Sequence, residues 1–174
     1  MDPSRASGFP PGPLELDENR PSMLEGAAGL EFDRAYGAYF EIQTAMAADQ
    51  PPPPLALQTL RDALSRLQTM GDVPGAAQNH IGSARNAAES MGASLESARD
   101  AYRTVSRALL KVAVIVRGPK TAASLSQYHC PMVPGGGGDW MQPGGTLANP
   151  YWGSEMLRCG EVVRDLSIAS GDNE

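Results

Sequence analysis

Residues 95–116 read LESARDAYRTVSRALLKVAVIV, and the spacing of their apolar side chains decides the predicted fold class. These side chains recur at alternating intervals of three and four, which is typical of the seam of a helix in a bundle. The seam consists of Leu95, Ala98, Tyr102, Val105, Leu109, Val112 and Val116. Ser94 precedes it as a candidate N-cap, and Gly118-Pro119 follows it as a stop. The stretch therefore predicts one long amphipathic helix.

Two further helical patterns lie nearer the N-terminus. The first begins near Leu30 and ends at Pro51 to Pro54, because proline cannot donate a helical hydrogen bond. Its bulky face consists of Phe32, Tyr36, Tyr39, Phe40, Gln43 and Met46. The second ends near Gly71 and has one leucine stripe, made of Leu57, Leu60, Leu64 and Leu67.

A third helix is predicted between Asp72, as its N-cap, and Gly92, with Pro74 in its first turn. Its face consists of Ala77, Ile81, Ala84, Ala88 and Met91. Four amphipathic helices with short connections predict an all-α fold, an antiparallel four-helix bundle. After residue 120, glycines and prolines replace this pattern, so we expect an irregular Gly/Pro-rich C-terminal lobe with the Cys-Pro-Met and Met-x-x-Cys-Gly motifs.

The predicted domain organisation has three parts. Residues 1–27 are a flexible Pro-rich linker, because they hold several prolines and few core-forming side chains. Residues 28–166 form a single helical-bundle domain with the Cys/Met lobe at its C-terminal end. Residues 167–174 are a disordered tail.

Composition excludes several classes of function. The chain has 14 basic and 20 acidic side chains and a net charge of −6, which argues against a nucleic-acid partner. It has no apolar run of the roughly 18 residues that a bilayer requires, so we expect no transmembrane segment. Its first residues lack the pattern of a signal peptide, so we expect a fragment or mature part of a longer exported chain.

We expect the chain not to be an enzyme. A covalent mechanism requires a nucleophile with an oriented base, and Cys130 beside His129 is the nearest approach to that pair. Adjacent residues of an extended segment point in opposite directions, and no third group is apparent that would orient the imidazole.

The chemistry-bearing residues are concentrated in the lobe. Cys130 and Met132 lie two residues apart, on the same side of an extended segment, and Met156 and Cys159 lie three apart, on the same side of a helical turn. His129 adjoins the first pair. Thiolates and thioethers are soft donors that match Cu(I), whereas hard ions need an oxygen cage. The pattern predicts a metal site made of Cys130, Met132, Met156, Cys159 and His129.

Three alternatives remain open at this stage. In an oxidising compartment Cys130 and Cys159 form a disulfide, and the chain then carries no metal cofactor. The two methionines are core-filling residues in the second alternative. In the third, His129 is a surface residue without a ligand role.

The motifs resemble a known family. Tyr128-His129-Cys130-Pro131-Met132, then Asp139-Trp140, then residues 149–160, which read NPYWGSEMLRCG, are similar to a bacterial helical domain of unknown function. That domain is found at the C-terminus of copper/silver-efflux periplasmic adaptor (membrane-fusion) proteins, and also as a stand-alone exported protein.

The resemblance implies a periplasmic or cell-envelope domain that binds copper, as Cu(I), in heavy-metal efflux. Its partner would be a metal-efflux adaptor or another envelope protein. Cys130, Met132, Met156 and Cys159 are carried over as the metal site. The framework positions are Trp140, Asn149, Tyr151 and Gly153. The alternative function is a disulfide-stapled protein–protein interaction domain that binds no metal.

Overall fold

The computed structural model describes residues 9–17, 20–92, 94–121 and 123–168. Four helices come first along the chain: α1 spans Gly26–Ala47, α2 Pro54–Leu67, α3 Gly75–Glu89 and α4 Leu95–Ala113. Two short strands flank the helical part, β1 at Ser22–Met23 and β2 at Val116–Arg117. The lobe contains β3 at Ser126–Cys130, β4 at Gly138–Gln142, a 3-10 turn at Gly153–Glu155 and β5 at Glu161–Asp165.

The all-α prediction is wrong, because the lobe is a β-sheet. Strands β4, β3 and β5 form an antiparallel sheet in that order, and β1 pairs with β2 in parallel. Tyr128 lies opposite Trp140 and Cys130 opposite Gly138. The glycines and prolines of this region punctuate short strands rather than exclude regular structure.

The helices follow the predicted apolar faces, with differences at their ends. The Ser94 hydroxyl accepts the Ser97 backbone N–H at 3.1 Å, which confirms the predicted N-cap of α4. The predicted N-cap at Asp72 is wrong, because α3 begins at Gly75 with Pro74 at the cap position. The prediction that Val116 continues α4 is also wrong. Val116 lies in β2 because the chain there pairs with β1.

The helices pack in sequence order, α1 on α2, α2 on α3 and α3 on α4. Strand β4 of the lobe packs against α4. Tyr39 of α1 contacts both α4 and β4. Its ring stacks on Tyr102 of α4 at 5.0 Å, and its hydroxyl lies 2.7 Å from the Ser106 hydroxyl. The same hydroxyl accepts the backbone N–H of Met141 in β4 at 3.0 Å. Helices and sheet therefore share one core.

The structure describes the predicted linker and the predicted tail only in part. Residues 1–8, 18–19 and 169–174, from the predicted linker and tail, lie outside the described residues. Within the predicted linker, Leu14 and Leu16 are buried in the core. No described helix is both long enough and apolar enough to cross a lipid bilayer.

Candidate functional site

The two cysteines meet at one end of the sheet. Cys130 is the last residue of β3 and is fully buried, and Cys159 lies just before β5 and is half-buried. Because His129 pairs with Glu161, the antiparallel register of β3 and β5 brings Cys159 beside Cys130. Their sulfur atoms are 3.0 Å apart, and both cysteines are free thiols.

The loop that carries Cys159 is fixed by Asn149, which is fully buried. Its side-chain amide donates to the Cys159 carbonyl at 2.8 Å, and its side-chain oxygen accepts the backbone N–H groups of Tyr151 and Trp152. The Cys159 backbone N–H donates in turn to the Met156 carbonyl at 3.0 Å. The position of the Cys159 thiol is therefore set by a hydrogen-bonded turn.

The remaining framework residues pack against this loop. Trp140 is fully buried between Tyr128, whose ring stacks on it at 5.4 Å, and Tyr151, whose ring meets it edge-on at 6.1 Å. Gly153 has a φ of +58°, and a Cβ atom there would lie 1.9 Å from a carboxylate oxygen of Asp49. Only glycine fits that position.

The two methionines differ in exposure. Met132 lies in the turn after β3 and is 57% exposed, which overturns the alternative that it fills the core. Met156 is half-buried, three residues before Cys159. In the sequence both methionines lie between the two cysteines, Met132 two residues after Cys130 and Met156 three residues before Cys159.

His129 occupies a different face of the sheet from Cys130. Consecutive strand residues point to opposite faces, and the His129 Nδ1 atom lies 3.4 Å from a carboxylate oxygen of Asp139. The imidazole is buried, which overturns the alternative that it is a surface residue. The structure thus brings the two thiols together and places His129 beside Asp139 instead.

The Cys159 thiol is held in its neutral form. Its hydrogen bond with Cys130, and secondarily its burial, raise the pKa of Cys159 to about 11, although the Met132 backbone N–H acts in the opposite direction. Two adjacent thiols do not ionise together, because the second thiolate meets the charge of the first. A bound cation would remove this repulsion.

The donor set fits a soft ion of low coordination number. Throughout the part of the chain that the structure describes, no three side chains of His, Cys, Asp or Glu converge on a common point. A structural zinc ion requires four such ligands, whereas Cu(I) is matched by soft thiolates and thioethers. Two metal–sulfur bonds of about 2.3 Å would place the sulfurs roughly 3.8–4.6 Å apart. A disulfide would draw them to about 2.05 Å. The observed 3.0 Å lies between these two states.

Sequence reasoning missed a buried polar cluster on the other face of the sheet. The Asp139 carboxylate is 2% exposed, and it accepts a hydrogen bond from the Gln127 side-chain amide at 3.1 Å. The Arg107 guanidinium lies 3.9 Å from the same carboxylate. Asp139 follows a run of glycines, so the sequence pattern gave no signal of burial.

Comparisons of the chain with family models, with curated protein sequences and with solved structures find no match.

Proposed function

We propose that this chain is a heavy-metal-binding accessory domain whose metal is copper, as Cu(I), held by the Cys130 and Cys159 sulfurs. The observation that carries the proposal is the 3.0 Å separation of the two sulfurs, which lets one small ion contact both after a modest opening. Met132 and Met156 are the auxiliary donors. Cys130 is fully buried, but Cys159 and Met156 are half-buried and Met132 is exposed, and such soft, accessible sulfur ligands suit an ion that is captured and passed on.

Proton competition supports an exchangeable site. Because the pKa of Cys159 is about 11, metal binding at neutral pH displaces a proton from that thiol. Bound metal is then released when the surroundings acidify. No catalytic step is assigned to the chain.

The cellular setting rests on the resemblance of the Cys-Pro-Met and Met-x-x-Cys-Gly motifs alone. On that basis we place the domain in the periplasm or cell envelope, where it supplies an adaptor of a heavy-metal efflux system. The copper itself is cargo in this scheme.

The test is an anaerobic titration of the fully reduced protein with Cu(I) against a chromophoric chelator. We expect one equivalent to bind tightly, and we expect Cys130→Ser and Met156→Leu to weaken binding. Met23→Leu is the matched control, because Met23 is 49% exposed and lies in β1, outside the lobe. Failure of the reduced protein to compete with the chelator would overturn the proposal, as would equal binding by Cys130→Ser.

A second candidate function is a disulfide-stapled interaction domain that binds no metal. An open groove of about 770 Å³ beside α4 favours it, because the groove combines aromatic side chains such as Trp152 with charged ones such as Glu96 and Arg103. A groove with both apolar and charged side chains can hold a segment of a partner protein through burial and charge pairing. The two candidates separate in the same titration, because a stapled domain would show a rapidly reforming disulfide and no competition for Cu(I).

A further inference from the structure

Residues 9–17, here called the strap, cross the buried polar cluster without forming a helix or strand, and they bend at residues 11–13, where Gly12 has a φ of +97°. They read FPPGPLELD. Side chains of the sheet hold their backbone: the Leu14 N–H donates to the Asp139 carboxylate at 3.0 Å, and the Leu14 carbonyl accepts the Gln127 amide at 3.0 Å. Arg164 of β5 donates to the Leu16 carbonyl at 3.1 Å.

Three side chains anchor the strap. Leu14 and Leu16 are only 7% and 8% exposed. The Phe9 ring lies 3.8 Å from the guanidinium carbon of Arg107 and 4.9 Å from that of Arg103. Such contacts between a ring face and a guanidinium are attractive. Between the anchors lie three prolines, whose fixed φ angles reduce the conformational entropy that the segment loses on docking.

The surface under the backbone of the strap is polar, although the side chains of Leu14 and Leu16 pack into the hydrophobic core. Asp139, His129 and Gln127 are each at least 97% buried. Nevertheless the Gln127 Oε1 atom finds no hydrogen-bond partner among the described residues, and His129 Nδ1 makes only its 3.4 Å contact with the Asp139 carboxylate, without hydrogen-bond geometry. Buried polar groups without partners cost free energy, so this surface retains hydrogen-bonding capacity that the strap leaves unused.

We propose that the surface formed by Gln127, Asp139, Arg107 and Arg164 is a peptide-docking groove, and that the strap is its built-in ligand. The external ligand is a proline-containing segment of a partner protein with an aromatic residue followed, five residues later, by Leu-x-Leu. Side chains of the groove pair with the backbone of the bound segment, and the apolar anchors supply the selectivity. This inference is independent of the proposed metal site.

The first experiment measures whether the strap opens by itself. In hydrogen–deuterium exchange on the full reduced chain, we expect the Leu14 amide to exchange at least tenfold faster than buried amides of α4, because local opening precedes global unfolding. Equal rates would make the strap a fixed part of the core and would overturn the proposal.

The second experiment uses a fluorescein-labelled peptide with the strap sequence and follows its anisotropy. A full-length variant carrying Leu14→Ala and Leu16→Ala should bind the peptide at least about tenfold tighter than the unmodified chain, whose own strap competes at a high effective concentration. Adding Asp139→Asn to this variant should weaken binding. A peptide with both leucines replaced by serine should not bind.

Three results would overturn the proposal. One is a strap-weakened variant that keeps its helical circular dichroism but does not bind the peptide. Another is equal binding of the serine control peptide. The third is a concentration-dependent dimer that strap weakening abolishes, which would assign the groove to the strap of a second copy.

Discussion

Replacing Tyr39 by phenylalanine removes a single hydroxyl from the junction of helices and sheet. The ring keeps its stack on Tyr102, so no large cavity forms. The hydroxyl contacts the Ser106 Oγ at 2.7 Å and the Met141 backbone N–H at 3.0 Å, and Tyr39 and Ser106 are fully buried. Loss of each buried partner costs about 1–3 kcal/mol. We therefore expect Tyr39→Phe to lower the free energy of unfolding by about 2–4 kcal/mol.

The assay is equilibrium unfolding in urea of the reduced protein, followed by circular dichroism at fixed pH. The midpoint should fall while the slope with urea concentration stays constant. Tyr128→Phe is the matched control, because its ring is buried against Trp140 but its hydroxyl bonds to no described residue. A loss below about 0.5 kcal/mol in Tyr39→Phe, equal to the control, would refute the role assigned to this hydroxyl.

Oxidation of Cys130 and Cys159 to a disulfide should raise the free energy of unfolding by about 3–4 kcal/mol, because the bond closes a loop of about 30 residues in the unfolded chain. Urea unfolding with and without reductant measures this difference. Cys159→Ser should show no such difference. Because the pKa of Cys159 is about 11, Cu(I) must displace a proton from this thiol at neutral pH. The apparent Kd for Cu(I) should therefore fall about tenfold for each unit by which the pH rises from 6 to 9, per proton displaced. A Kd that does not change with pH in competition titrations would contradict this. Burial raises the pKa of Tyr39 to about 12, whereas an unfolded phenol ionises near pH 10. This contribution to stability is complete below pH 10 and is lost as the pH rises toward 12, so absorbance at 295 nm should rise together with unfolding rather than before it. Gly153→Ala should cost at least about 1–3 kcal/mol in urea unfolding, since alanine strains a backbone with φ of +58°.

The helices were predictable because their burial is one-sided. In α4 the apolar residues form one stripe, and the stripe positions from Ala98 to Val112 are buried. Helix ends were less predictable, since competing interactions decide them. Val116 is as apolar as the rest of the seam, but the backbone of β2 pairs with a strand 94 positions earlier in the chain. Periodicity within one segment carries no signal of such a distant partner.

The sheet was missed because its strands do not alternate in polarity. All five residues of β4 are buried, and four of five in β3 are. A strand covered on both faces loses the period-two pattern, and five residues between glycines and prolines resemble a loop. The burial of Asp139 and Gln127 follows from the strap, whose two buried leucines are too few to form a pattern.

The candidate site was predicted in part. The separation of Cys130 and Cys159 along the chain did not dictate contact, yet the structure places the two thiols together. His129 entered the predicted ligand set through sequence adjacency. Once β3 is a strand, adjacency implies opposite faces, so the imidazole lies beside Asp139. The spacing of residues in the sequence predicts which side chains lie together only when the secondary structure of the segment is known.

Trp140 lies close enough to the thiol pair for its fluorescence to respond to chemical changes there. The tip of its indole lies against Gly160, the residue that follows Cys159, and Tyr128 and Tyr151 flank its ring. Enclosed in this way, the indole should emit at short wavelength and collect excitation energy from the neighbouring phenols. A heavy ion or a new sulfur–sulfur bond next to it should quench that emission. Because the chain also contains Trp152, the fluorescence of a Trp152→Phe variant can follow the state of the thiol pair in real time.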